Sequence, residues 1–217
     1  MTTFGWPEFL FILRSAGWTL LLTAVAFAIG SLGGGALAIM RLSRGRFLSR
    51  AAGIYILVIQ SIPVLMVLFM SYYGLSLFGI ELPAFLAASA SLAIYVSAYL
   101  AEIWRGSIES VPYQQWEASS SLALTRSQQY RYIIIPQAIR ISLPPTVGFL
   151  VQLVKNTSIV SVVGFVELSR AGQLVNNATF RPFQVFAAVA AIYFLICFPL
   201  SRLSRYLEGA MHAGRGQ

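Results

Sequence analysis

Charge is scarce in this chain. Of its 217 residues only 10% are charged, while 58% are hydrophobic. Soluble domains carry about 25% charged residues, and a water-facing surface could not be covered with so few. A soluble enzyme and a nucleic-acid binder are therefore excluded, despite a net charge of +8. One cysteine, Cys197, rules out an internal disulfide and sits in an apolar run as a packing residue. One histidine, His212, argues against a histidine-based metal site. No G-x-x-x-x-G-K-[ST] run is present to cradle phosphates. No nucleophile–base pair or ligand cluster suggests a membrane enzyme. The first thirteen residues lack Lys and Arg, so no secretory signal peptide is expected.

The abundant feature is long uncharged apolar sequence, and an all-α, polytopic membrane protein with five transmembrane helices is expected. Trp18–Met40 and Leu82–Ala101 are two candidate spans. Ala51–Ile80 is long enough for a tilted or kinked span plus a loop. A fourth span is expected to begin near Pro144, with Lys155 interrupting it, and Pro182–Ser201 is the fifth. About 20 residues of helix match the hydrocarbon thickness. The runs are continuous, unlike the alternating strands of a membrane barrel.

Arginine sets the expected orientation. The first connection holds Arg41, Arg44, Arg46 and Arg50; the third holds Arg105, Arg126, Arg131 and Arg140; the tail holds Arg202, Arg205 and Arg215. The N-terminal stretch and the other two connections hold only Arg14, Arg170 and Arg181. The positive-inside bias then places the N-terminus outside and the C-terminus in the cytoplasm. An odd number of spans agrees with that.

Within this frame Gly30 and Gly34 form a G-x-x-x-G spacing, read either as a close helix contact or as ordinary membrane glycine. Pro63 is expected to bend the second run. The connection Glu102 to Arg140 predicts two short helices across the cytoplasmic face. One starts at Pro112 and carries Tyr113 and Trp116; the other starts at the capping-box sequence Thr125–Gln128. They form either an interfacial pair on the headgroups or a rigid knob for a soluble partner. In the second case Tyr113 and Trp116 are buried anchors, and Glu117, Arg126 and Arg131 are rim contacts. Counted from Pro144, Lys155 lies about 16 Å along its helix, near mid-membrane. A charge there is paired, with Glu102 as one candidate, or takes part in gating or a solute path. Gln60, Tyr95, Ser97, Gln152, Asn156 and Thr157 are further candidates for the path. Packing between helices is the alternative for each, and Arg105 with Glu109 reads as a surface i,i+4 pair.

Residues 117–136, EASSSLALTRSQQYRYIIIP, resemble the EAA motif of ABC importer permeases, written E-A-A, three residues, G, nine residues, I-x-L-P. Glu117, Ala118, Ile133 and Pro136 match. Ser119 stands for the second alanine and Ala123 for the glycine. If that glycine serves a positive φ, alanine costs about 1–2 kcal/mol; if the backbone is helical, it costs nothing. The stretches AYLAEIWRGSIESVP at 98–112, PQAIRISLPP at 136–145 and LVKNTSIVSVVG at 153–164 are similar to the polar amino-acid branch, the histidine/glutamine/arginine type. So is 179–208.

The resemblance implies a type I permease fold, with a transmembrane permease domain at 11–208 and a cytoplasmic coupling segment at 112–136. It implies the membrane subunit of an ATP-driven amino-acid importer in a bacterial inner membrane. Tyr113, Trp116, Glu117, Ala118, Ser119, Ala123 and Pro136 would serve coupling. The implied partners are a second permease subunit, identical or related, two ATP-binding subunits that hold ATP and Mg, and an extracytoplasmic amino-acid-binding protein. The chain itself would bind no cofactor and be no enzyme. The segment from Gly164 to Phe180 would lie beneath the binding protein, with Arg170 and Arg181 either touching it or simply solvated. An ion channel or ion-coupled secondary transporter is the rival, but neither accounts for the cytoplasmic loop.

Overall fold

The computed structural model describes residues 4–213 and the side chains of residues 4–211, so Arg215 and the side chain of His212 lie outside the described residues. Among the described residues all regular structure is helical. In a bilayer this follows from the backbone, because a helix satisfies its N–H and C=O groups within one segment.

Helix α1, Trp6–Leu42, starts where the Gly5 N–H donates to Glu8 Oε2 at 3.0 Å and Pro7 occupies the first turn. It extends well beyond the charge-free run that began at Trp18. Helix α2, Arg46–Ser61, ends at Ile62, which is extended (φ −103°, ψ 133°) as the residue before Pro63 must be. Helix α3, Val64–Phe69, and a π turn, Met70–Gly74, then leave at 104° to α2. The bend expected at Pro63 is therefore a break.

Helix α4 is Ala84–Glu109 and the short α5 is Tyr113–Ser121. The Thr125 N–H donates to Gln128 Oε1 at 2.8 Å and opens α6, Arg126–Gln128, as the capping-box spacing predicted. From there the chain does not form a separate second short helix. A π turn, Gln129–Ile134, leads into α7, Ile135–Asn156, and a 3-10 turn, Thr157–Val163. Pro144 and Pro145 lie inside this helix, which corrects the expectation that the fourth span begins there. An interior proline removes a donor and crowds the preceding turn, but packing against a neighbour holds the helix together. The Pro144 carbonyl accepts a hydrogen bond from Ser204 Oγ at 2.9 Å. Helix α8, Leu168–Thr179, and helix α9, Pro182–Ala213, complete the chain.

Among the described residues four helical stretches are long and apolar enough to cross a membrane: Trp6–Leu42, Ala84–Glu109, Arg126–Val163 and Pro182–Met211. The bent pair α2–α3 would make a fifth. The main core lies between α1, α3, α4 and α7, around Leu22, Leu68, Leu92, Leu100 and Leu153. A second core joins α1, α8 and α9 through Ile12, Leu168, Val175 and Val185.

The glycine spacing in α1 faces α4, so the close-contact reading holds. A Cβ on Gly30 would sit 2.5 Å from Val96 Cβ, and one on Gly34 would sit 3.0 Å from Leu100 Cβ and 3.1 Å from the Ser97 carbonyl. Backbones this close gain dispersion along their whole length. We expect Gly30→Ala to destabilise the folded protein by about 1–3 kcal/mol through overpacking. Thermal unfolding of purified protein in detergent reads this, and an unchanged midpoint would mean that α1 and α4 are not locked together.

Candidate functional site

A cluster of polar and aromatic groups lies between α4 and α7, within two of the apolar helical stretches. Tyr95 and Tyr99 are one turn apart on α4, with ring centroids 4.5 Å apart. Both rings pack on Phe149 of α7, at 5.9 Å and 5.4 Å. Trp104 Nε1 donates to Thr146 Oγ1 at 3.1 Å and pins the same two helices nearer the arginine-rich end. The Tyr95 hydroxyl is within interaction reach of Tyr99, Asn156 and Gln152. Gln152 is exposed, and the Asn156 Nδ2 is buried with no hydrogen-bond partner among the described residues. The wall thus offers aromatic faces, a hydroxyl and amides, the groups that can surround a polar solute without fixing it to a single charge.

The other candidates are not in this wall. Ser97 is on the opposite side of α4, where its hydroxyl lies 2.9 Å from the Tyr55 hydroxyl and donates to the Ile94 carbonyl at 2.8 Å. Gln60 is exposed on α2, and its Nε2 donates to the Ala98 carbonyl at 3.4 Å. Thr157 is fully buried; its hydroxyl donates to the Val154 carbonyl at 2.8 Å and lies near Tyr193. A period of 3.6 residues rotates Ser97 about 200° from Tyr95, so their nearness in sequence was misleading.

Lys155 is exposed beside Gln152, in the last turn of α7 and within electrostatic reach of Cys197 on α9. Because the helix begins long before Pro144, the mid-membrane depth reckoned from that proline does not hold; from Arg140 the rise to Lys155 is about 22 Å. Nor is Lys155 paired with Glu102. That carboxylate instead binds Arg105 on its own helix and faces Arg41 of α1 at 3.7 Å, while Arg105 also binds Glu109. Arg41 further donates to the Ser49 carbonyl at 3.3 Å, so the cluster ties the ends of α1, α2 and α4 together.

The 112–136 segment follows directly. Glu117 and Ala118 are exposed on α5, Glu117 makes no ion pair among the described residues, and Tyr113 is 71% exposed. Trp116 turns inward instead and meets Tyr130 edge-on at 5.2 Å, so it braces the segment rather than standing free as an anchor. Ser119 is buried against the α5 backbone, its hydroxyl donating to the Trp116 carbonyl at 2.9 Å. Gln129 Nε2 donates to Ser120 Oγ at 3.1 Å and to the Leu124 carbonyl at 3.0 Å, closing the turn. Pro136 is exposed in the first turn of α7. Ala123 takes φ 55°, so the turn does use the left-handed conformation that a glycine would adopt freely.

At the opposite end lies a group that the sequence did not single out. Glu167 is fully buried at the start of α8. Its carboxylate accepts from the backbone N–H groups of Ser169 (2.9 Å) and Arg170 (2.8 Å), from the Tyr193 hydroxyl (3.1 Å) and from the Thr19 hydroxyl (3.4 Å). Thr19 also accepts from the Leu168 N–H at 3.1 Å. The network joins α1, α8 and α9. Its only sequence signal is an acidic residue ahead of a helical stretch, since nothing local links positions 148 residues apart. Burial pushes the Glu167 carboxyl above the ordinary carboxylate range, against the four hydrogen bonds that favour its charged form.

Two outcomes follow. Ala123→Gly should stabilise the protein by up to about 1 kcal/mol, the left-handed penalty of about 1–2 kcal/mol less the greater chain entropy of glycine; an unchanged or lower unfolding midpoint would mean that the turn is unstrained. For Glu167, folding favours the protonated form, so its contribution to stability is complete below the ordinary pKa and is lost as pH rises through the raised one. Stability of the wild type should therefore fall relative to Glu167→Gln as pH rises across that window. Parallel pH profiles of the unfolding midpoint would refute this.

Residues 26–213 match the family described as the binding-protein-dependent transport system inner membrane component. A probable glutamine ABC transporter permease protein, GlnM, of Bacillus subtilis (strain 168) is 39% identical over 190 residues, covering 88% of each chain. A probable amino-acid ABC transporter permease protein, YckA, of the same organism is 35% identical, covering 88% of this chain and 84% of its own. The crystal structure of an amino acid ABC transporter with histidines superposes with a TM-score of 0.88 at 38% identity, covering 92% of this chain and 94% of that one. A chain with this helical membrane architecture and a family match over nearly its whole length belongs to the inner-membrane components of binding-protein-dependent transport systems.

Proposed function

We propose that this chain forms half of the path of an ABC-type importer for polar amino acids and is driven through segment 112–136 by a separate ATPase. It is the membrane permease subunit of that importer, set in the bacterial inner membrane. The observation that carries the coupling reading is the braced but unpaired face of α5: Trp116 is held by Tyr130, while Glu117 and Tyr113 project into solvent. A carboxylate on a rigid exposed helix is suited to a partner's groove, because little conformational freedom is lost on docking. Ala118 shares that exposed face, while Ser119, Ala123 and Pro136 shape the segment behind it.

On this reading the bent pair α2–α3 counts as one crossing, giving five spans with the N-terminus outside and the C-terminus in the cytoplasm. The arginine distribution supports that orientation. Arg44 of the first connection and Arg126 of the third line one cavity, in keeping with a shared side. The path runs along Tyr95, Tyr99, Gln152 and Asn156, with Lys155 at its rim. Gln152 and Lys155 are exposed along it, which suits completion by a second permease subunit, identical or related. Ser97, Gln60 and Thr157 act behind it as ties between helices. Two ATP-binding subunits hold ATP and Mg, and an extracytoplasmic binding protein delivers the amino acid to the end that carries α8.

Glu117→Lys tests the coupling role in the purified complex. Affinity for the ATPase should fall roughly tenfold or more, the scale of a lost hot spot, or substrate-stimulated hydrolysis should continue without uptake. Unchanged association, hydrolysis and uptake would overturn it.

A further inference from the structure

Two cavities at the arginine-rich end meet at the same pair of side chains. The upper, of about 830 Å³, lies against α5 and includes Trp116, Ser120 and Gln129. The lower, of about 400 Å³, runs between the ends of α1, α4 and α7 and is walled by Ile39, Leu42, Ile108 and Ile135. Arg44 and Arg126 line both. Each arginine is exposed and makes no ion pair among the described residues. Glu117 borders the upper cavity but forms no ion pair with either.

The lower cavity has the size of a small-molecule site, which falls at about 300–1,000 Å³. Its walls continue into exposed aliphatic surface: Ile39 is 72% and Ile135 40% exposed. A polar protein surface would leave those aliphatic walls unfilled, and a bare anion would use only the arginines. A molecule with an anionic head and an apolar tail satisfies both halves. Guanidinium groups pair with phosphate oxygens through two parallel hydrogen bonds, and basic pockets between membrane helices are suited to anionic lipid heads.

We propose that this groove is a binding site for one anionic phospholipid, with its phosphate between Arg44 and Arg126 and an acyl chain along Ile39, Leu42, Ile108 and Ile135. The lipid would join the first and third connections beside α5 and so fill the space behind the coupling segment. The site depends on the membrane setting and not on the coupling role of Glu117.

Native mass spectrometry of the delipidated permease–ATPase complex, titrated with phosphatidylglycerol, with phosphatidylcholine, and with phosphatidylglycerol in competition with inorganic phosphate, tests this. Arg44→Ala with Arg126→Ala should weaken phosphatidylglycerol binding about 25-fold, since each arginine near an anionic head contributes about fivefold, and should leave phosphatidylcholine unchanged. Ile39→Trp, which narrows the chain groove and spares both cations, should weaken it as well. An unchanged thermal unfolding midpoint in every variant shows that the fold survives. The proposal is overturned if the unaltered complex binds no phosphatidylglycerol or if the double variant binds it equally. It also fails if inorganic phosphate competes fully while Ile39→Trp has no effect, which marks a bare anion site. Loss of the ATPase with lipid binding intact would assign the arginines to that partner instead.

Discussion

The approach of α1 to α4 is the contact on which the rest of the molecule depends. Gly30 leaves no room for a methyl group against Val96 and Gly34 very little against Leu100, and this close seam joins two helices of the main core. In lipid, apolar surface gains little from leaving its surroundings, so helices associate through close packing and polar contacts instead. Both further cores grow from the seam. The first adds α3 and α7 to the α4 side, and the second adds α8 and α9 to α1.

Two carboxylates close the ends of this frame in different ways. Glu102 is partly exposed and surrounded by arginines, so its contribution is modest and sensitive to salt. Its value lies in geometry, since Arg41 reaches from α1 to both α4 and the start of α2. Glu167 makes no ion pair among the described residues and is held by backbone N–H groups and hydroxyls. Such a network is costly if any member is removed, because the remaining groups stay buried without partners. The arginine-rich end can therefore rearrange more easily than the end at α8. That asymmetry fits a machine whose drive enters from one side.

Segment 112–136 shows how a short stretch becomes rigid without a core of its own. Trp116 on Tyr130, the Gln129 hydrogen bonds and the Thr125–Gln128 cap fix the turn between α5 and α6. The left-handed Ala123 lies within it as a local strain that these contacts outweigh. Since α6 runs through a π turn into α7 with no intervening loop, the turn that follows α5 is joined directly to a long helix.

The sequence by itself determined the class, a disturbance of the helix at Pro63, the cap at Thr125, the short helix that carries Glu117 and the family. Composition, proline chemistry and local spacing are properties of neighbouring residues, and they need no fold to act. It misplaced the start of the fourth span, because proline locally favours the first turn of a helix, and the support of the interior position by Ser204 on α9 is a tertiary contact. Partners far apart in sequence were equally out of reach. Glu102 with Arg41, Glu167 with Thr19 and Tyr193, and the separation of Ser97 from Tyr95 were all decided by which helix faces met. Those faces are chosen by packing over the whole bundle, so only the tertiary structure could decide them.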